Sequence, residues 1–253
     1  MNPRIEFYLD ANVILDWLEA ARGNKTSEFI RDQIRAETDL LCVVSTFALM
    51  EAVQQHQDSA HFRSLVSRGY VPNEVRNHPR DLTPSDCARC YSDVFRLVQS
   101  LKTKAVLRKI DATEIWTEAT SLQQRANFSA PDAIHVGIAL ATACDFFVTA
   151  DQQLLNEIRK LPRRSNPLIP LQTQRGDIPP KFKEQFQRLV SQARKRKASR
   201  PQKKVPEEFQ DLIGAVRPIF SREKDPRAFV RRYEYRLRRT SRTTQPKRQL
   251  VDH

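Results

Sequence analysis

Four acidic residues carry the chemistry this sequence suggests. Asp10 follows Phe7-Tyr8-Leu9 and precedes Ala11-Asn12, and Glu51 follows Phe47-Ala48-Leu49-Met50. Asp132 opens Asp132-Ala133-Ile134-His135, and Asp151 follows Phe147-Val148-Thr149-Ala150. Carboxylates that converge raise one another's pKa. A bound divalent cation relieves that repulsion, and magnesium and manganese are the hard ions that prefer oxygen ligands. Gathered in one pocket, these side chains would hold Mg or Mn.

Each residue also has a local reading. Asp10 and Asp151 follow strand-like runs and precede helical ones, where Asp is a favoured N-cap, and Ser129-Ala130-Pro131-Asp132 fits a capping box. Glu51 falls inside its helix and cannot be a cap. It sits one turn after Phe47, on the side turned inward, where a buried acid is costly without a partner.

The elements that must position these residues alternate in the manner of a parallel sheet covered by helices. Strands are expected at 5–9, 40–44, 105–110, 146–149 and 168–171. Helices are expected at 12–21, 27–36, 47–56, 85–101, 112–126, 131–143 and 152–160. In such a sheet, ligands bind beyond the carboxyl ends of the strands, the edge to which Asp10, Asp132 and Asp151 would belong. The stretch 58–84, with Pro72, Asn77, Pro79 and Pro84, reads as an insertion or lid.

The motifs resemble those of the PIN-domain ribonucleases. Asp10-Ala11-Asn12 is similar to that family's first acidic motif, and Glu51, 41 residues later, to its second. Asp132 and Asp151, 19 apart, are similar to its third and fourth. The resemblance covers about residues 4–171 and implies a three-layer α/β/α fold with a central parallel sheet. It implies Asp10, Glu51, Asp132 and Asp151 as catalytic and metal-holding residues, with Asn12 and Thr149 supporting them. Implied too is cleavage of single-stranded or unpaired RNA by water, leaving a 5′-phosphate and a 3′-hydroxyl, with DNA as the alternative substrate. The separation of 81 from Glu51 to Asp132 makes a longer middle than compact toxin-type members have, and the basic tail has no counterpart in them. A toxin with an inhibitory antitoxin-like partner, a homodimer, and a non-catalytic RNA-binding scaffold are the other expectations the resemblance raises.

The rest of the composition concerns partners. Of 43 Lys and Arg and 30 Asp and Glu, 23 and 9 lie in residues 171–253, which leaves 20 and 21 for residues 1–170. The net charge of +13 therefore belongs to a basic, mainly helical extension over 172–253, whose end is expected to be disordered. Its basic rows suggest nucleic-acid contacts at Arg194, Lys195, Arg196, Lys197, Lys203, Lys204, Arg231, Arg232, Arg236, Arg238 and Arg239. Phe229, Tyr233 and Tyr235 could stack on bases, although a small helical core is the commoner use of such residues. No run of about 18 apolar residues occurs, and the N-terminus lacks a signal-peptide pattern, so a cytoplasmic protein is expected. Four cysteines suggest reduced thiols; Cys87-x-x-Cys90 lacks the second ligand pair of a zinc site. Trp17 and Trp116 read as core, Asp145 as a helix terminator, and His135 as a packing or hydrogen-bonding residue.

Overall fold

The computed structural model describes residues 3–19, 22–101, 104–108, 112–162 and 167–199. Five strands make one sheet: β1 (Ile5–Leu9), β2 (Leu40–Ser45), β3 (Ala105–Arg108), β4 (Phe146–Thr149) and β5 (Ile169–Gln172). All pairings are parallel, in the order β3-β2-β1-β4-β5. Central strands buried on both faces read as apolar runs rather than alternating ones. That is why Ile5–Leu9 and Phe146–Thr149 were legible with their boundaries intact.

Side-chain alternation divides the core between the faces. Ile5, Phe7 and Leu9 of β1 join Cys42, Val44, Phe146 and Val148 in one cluster. Covering it are α1 (Ala11–Leu18), α2 (Lys25–Ala36), α3 (Thr46–Ser67) and α5 (Pro84–Ser100), with the short α4 (Pro72–Asn77) beside α3. Tyr8, Val43 and Phe147 point the other way, under α6 (Ala112–Arg125), α7 (Ala130–Ala141) and α8 (Gln152–Lys160). The result is the expected three-layer α/β/α arrangement with a central parallel sheet. Gly137 lets α7 approach α6, since a Cβ there would meet the Ala119 amide nitrogen at 3.3 Å and the Ile115 carbonyl oxygen at 3.4 Å.

Four expectations need correction. The helix expected at 47–56 runs to Ser67, so the first part of the 58–84 stretch is regular helix. Its buried residues are Ala48, Ala52, His56, His61 and Leu65, a stripe of alanines and histidines too weakly apolar to show as periodicity. Trp116 is 54% exposed, not core. Asp145 does not end a helix, since α7 stops at Ala141 with Thr142 as its C-cap; it accepts from the Glu6 amide at 2.9 Å and pairs with Lys197 at 2.8 Å.

The fourth correction concerns the extension, whose first helix belongs to the sheet. In α9 (Phe182–Ser199), Phe186, Val190 and Ala193 are fully buried, and Phe186 stacks 5.9 Å from Phe7. Arg194 grips Asp39 through Nε at 2.8 Å and a terminal nitrogen at 3.0 Å, and also reaches Glu37. The strand expected at 105–110 is seen over Ala105–Arg108, and its last two residues lie outside the described ones. So does the extension beyond residue 199.

Among the described residues, no helix is long and apolar enough to cross a membrane. All four cysteines are free.

Candidate active site

The chain leaves β1 toward β2 and later returns to β1's other side as β4, so the strand order reverses between β1 and β4. In an open α/β sheet the crevice beyond the carboxyl ends of such strands is the usual ligand site. Asp10 follows β1 there, and Thr149 ends β4.

Asp10 is the N-cap of α1, its Oδ1 accepting from the Ala11 amide at 2.7 Å. Its Oδ2 accepts from Asn12 Nδ2 and from Thr149 Oγ1, each at 2.6 Å. Asn12 also donates to Thr149 Oγ1 at 3.0 Å and accepts from the Ala150 amide at 3.0 Å. Asn12 and Thr149 thus stitch the two strand ends around one carboxylate. The capping reading is correct for Asp10, and it does not compete with a site reading because one side chain serves both.

Glu51 approaches from α3, which Ser45 caps by accepting from the Ala48 amide at 2.9 Å. His135 approaches from α7 and lies between the acids, its Nε2 2.5 Å from Glu51 Oε2 and 3.6 Å from Asp10 Oδ1. His135 Nδ1 is 2.7 Å from the Tyr8 hydroxyl, which is 2.9 Å from Ser45 Oγ. Asp10, Glu51 and His135 are the three side chains among the described residues whose ligand atoms lie within 4.8 Å of one another.

Burial lifts the Asp10 carboxyl above its ordinary range, against the His135 charge and the hydrogen bonds from Thr149 and Ala11. Burial pulls His135 down, but the Glu51 hydrogen bond and the Asp10, Glu51 and Asp132 charges outweigh it and leave the imidazole raised. Tyr8, fully buried, is pushed well above the usual phenol value. Among the described residues, neither Asp10 nor Glu51 pairs with a Lys or Arg. Two acids facing one imidazole, with no Lys or Arg paired to them among the described residues, form a donor set that suits a divalent ion.

Asp132 and Asp151 stand outside this group. Asp132 lies in the first turn of α7, one turn before His135, and accepts from Ser129 Oγ at 2.7 Å. Asp151 is exposed and caps α8, accepting from the Gln153 amide at 2.7 Å and the Leu154 amide at 3.0 Å. Its own amide donates to Thr149 Oγ1 at 3.0 Å, which ties it to the Asp10 network through one hydroxyl. Sequence reasoning placed Asp10 and Glu51 together but assigned no site role to His135, Tyr8 or Ser45. The signal for His135 was its place one turn after Asp132; its partners lie 84 and 127 residues away.

Of the basic residues expected to contact nucleic acid, Arg194 is committed to Asp39 and Glu37, and Lys197 to Asp145 and the Arg4 carbonyl. Arg196 reaches the Pro167 carbonyl at 3.3 Å, and Lys195 is exposed. Lys203, Lys204, Arg231, Arg232, Arg236, Arg238 and Arg239 lie outside the described residues, as do Phe229, Tyr233 and Tyr235.

No protein-family model and no curated protein matches the chain. Among solved structures it is similar to a chain of VapBC2 from Rickettsia felis, solved bound to a DNA fragment from their promoter. That likeness has 8% identity and a TM-score of 0.43, and covers 67% of this chain and 100% of that one. It is also similar to PAE2754 from Pyrobaculum aerophilum, with 13% identity, a TM-score of 0.39, and 74% and 96% covered. Both likenesses are distant and bear on neither activity nor partners.

Proposed function

We propose that this protein is a metal-dependent nuclease of the PIN type, acting on single-stranded or unpaired RNA. The observation that carries the reading is the meeting of Asp10 and Glu51 at the strand-order reversal, with Asp10 buried and without a Lys or Arg partner among the described residues. A carboxylate so placed is costly unless a cation accompanies it. The four acidic motifs support the same reading.

A divalent ion held by these carboxylates would acidify an attacking water, polarise the phosphoryl oxygen and stabilise the leaving oxygen. Asp10 would be a ligand whose direction is fixed by Asn12 and Thr149. Glu51 would bind the ion or orient the water. Asp132 and Asp151, partly and fully exposed, would complete the site by turning their carboxylates toward it. Positive residues beyond α9 would supply phosphate contacts that an acidic pocket cannot.

The test is cleavage of a generic single-stranded RNA, and of its DNA counterpart, in magnesium, in manganese and in chelator. The expected result is RNA cleavage that needs metal and is lost in Asp10→Asn. Cleavage that persists in chelator, or its absence with both metals, would contradict the proposal.

A further inference from the structure

Tyr8, Ser45 and His135 are among the least exposed polar residues of the protein, at 0%, 0% and 2%. They form one continuous chain of hydrogen bonds behind Glu51. Its far end has a fixed sense, because the Ala48 amide can only donate, so Ser45 Oγ accepts from it at 2.9 Å. The Ser45 hydroxyl proton is then available to Tyr8 at 2.9 Å, and the Tyr8 proton to His135 Nδ1 at 2.7 Å. With Nδ1 accepting, Nε2 carries the proton of the neutral ring. The near end agrees. Nε2 faces Glu51 Oε2 at 2.5 Å and Asp10 Oδ1 at 3.6 Å, two acceptors that a bare nitrogen lone pair would repel.

We propose that this buried chain fixes His135 as an Nε2–H donor that holds Glu51 in place, so that His135 positions the carboxylate and is not itself a metal ligand. The inference rests on the metal-site reading above and divides its three clustered side chains into two ligands and one support. Ligation through Nε2 would require that nitrogen to lose its proton. Nδ1 would then donate to Tyr8 and Tyr8 to Ser45, leaving the Ser45 hydroxyl proton without an acceptor in the chain. Holding Glu51 by Oε2 leaves Oε1 without a protein partner among the described residues. Supports of this kind, set behind a metal-binding side chain, typically govern affinity by 10- to 100-fold.

Long-range proton–nitrogen NMR of the 15N-labelled full chain, at a pH where imidazole is neutral, reads the tautomer directly. His135 should be protonated at Nε2 without metal and remain so at saturating magnesium. A metal-free Nδ1–H tautomer, or loss of the Nε2 proton when magnesium binds, would overturn the proposal. If magnesium does not bind, the tautomer still decides this inference, while the nuclease reading falls separately. Manganese affinity supplies the second readout. His135→Ala should weaken it about 10- to 100-fold. His135→Gln should recover most of it, because its amide can donate as Nε2 does. Tyr8→Phe, which removes the donor to Nδ1 and keeps the ring, should lose affinity while Glu51 is intact. Native affinity in His135→Ala would contradict the positioning role.

Discussion

Asp10 is a cap, a network centre and a buried charge at once, which makes its substitution informative. Its carboxyl is raised above 3.8, mainly by burial. A raised carboxyl means that the folded protein holds the proton more tightly than the unfolded chain does. This contribution to stability is full below the unfolded value and is lost as pH rises through the folded one. Asp10→Asn has no such loss, so without metal the melting-temperature difference should move in the variant's favour from about pH 4 to neutrality. No absolute gain is expected, because the new NH2 group meets a donor whichever way it turns, Asn12 Nδ2 and Thr149 Oγ1 on one side or the Ala11 amide on the other. Manganese should restore the native advantage at neutral pH. A difference that does not vary with pH would remove buried charge from the account. At this scale Asp10 and Glu51 were legible because their motifs are local. His135's role was not, because it exists only through contacts with Tyr8 and Glu51 from distant segments.

At the scale of elements, β1 and β4 were plain because double burial leaves little but apolar residues in them. The second half of α3 was hidden because its buried residues are only His61 and Leu65, and a hydrophobic pattern does not register the histidine. α9 was legible as part of a mainly helical extension but not as part of the layer covering the sheet. The run Arg194-Lys195-Arg196-Lys197 reads as a polyanion site, whereas two of its four charges face protein carboxylates. The Arg194 interaction has a measurable consequence. Its hydrogen bonds hold Asp39 below the ordinary carboxylate range, a stabilisation present above the unfolded value and lost as pH falls through the folded one. Both side chains are partly buried, and a charged pair that water still reaches contributes about 1 kcal/mol. Arg194→Ala should therefore lower the urea-unfolding free energy by about that amount at neutral pH, with the difference shrinking in acid. Equal stability at neutral pH would show that the Arg194 pairs do not help to hold α9.

For the whole molecule, the division of charge follows the position of α9. Residues 201–253 hold 14 Lys and Arg against 7 Asp and Glu, and residues 1–200 hold 29 against 23. Cutting near Thr173 would strip Phe186, Val190 and Ala193 from the core, so that truncation should unfold the protein. Ending the chain after Ser199 keeps the core and removes 14 basic residues and Arg200, giving a cleaner test of the tail. If the tail neutralises about five phosphates, full-length protein should lose about a hundredfold in RNA affinity between 50 and 200 mM salt. The shortened chain should show a much flatter dependence, and equal salt slopes would assign the tail another task.

The most direct test of the central claim is where manganese binds. Anomalous diffraction from manganese-soaked crystals should show a peak about 2.0–2.2 Å from carboxylate oxygens of Asp10 and Glu51, a distance typical of a small hard divalent ion. Peaks confined to other surfaces, with none in reach of Asp10 at saturating manganese, would contradict it.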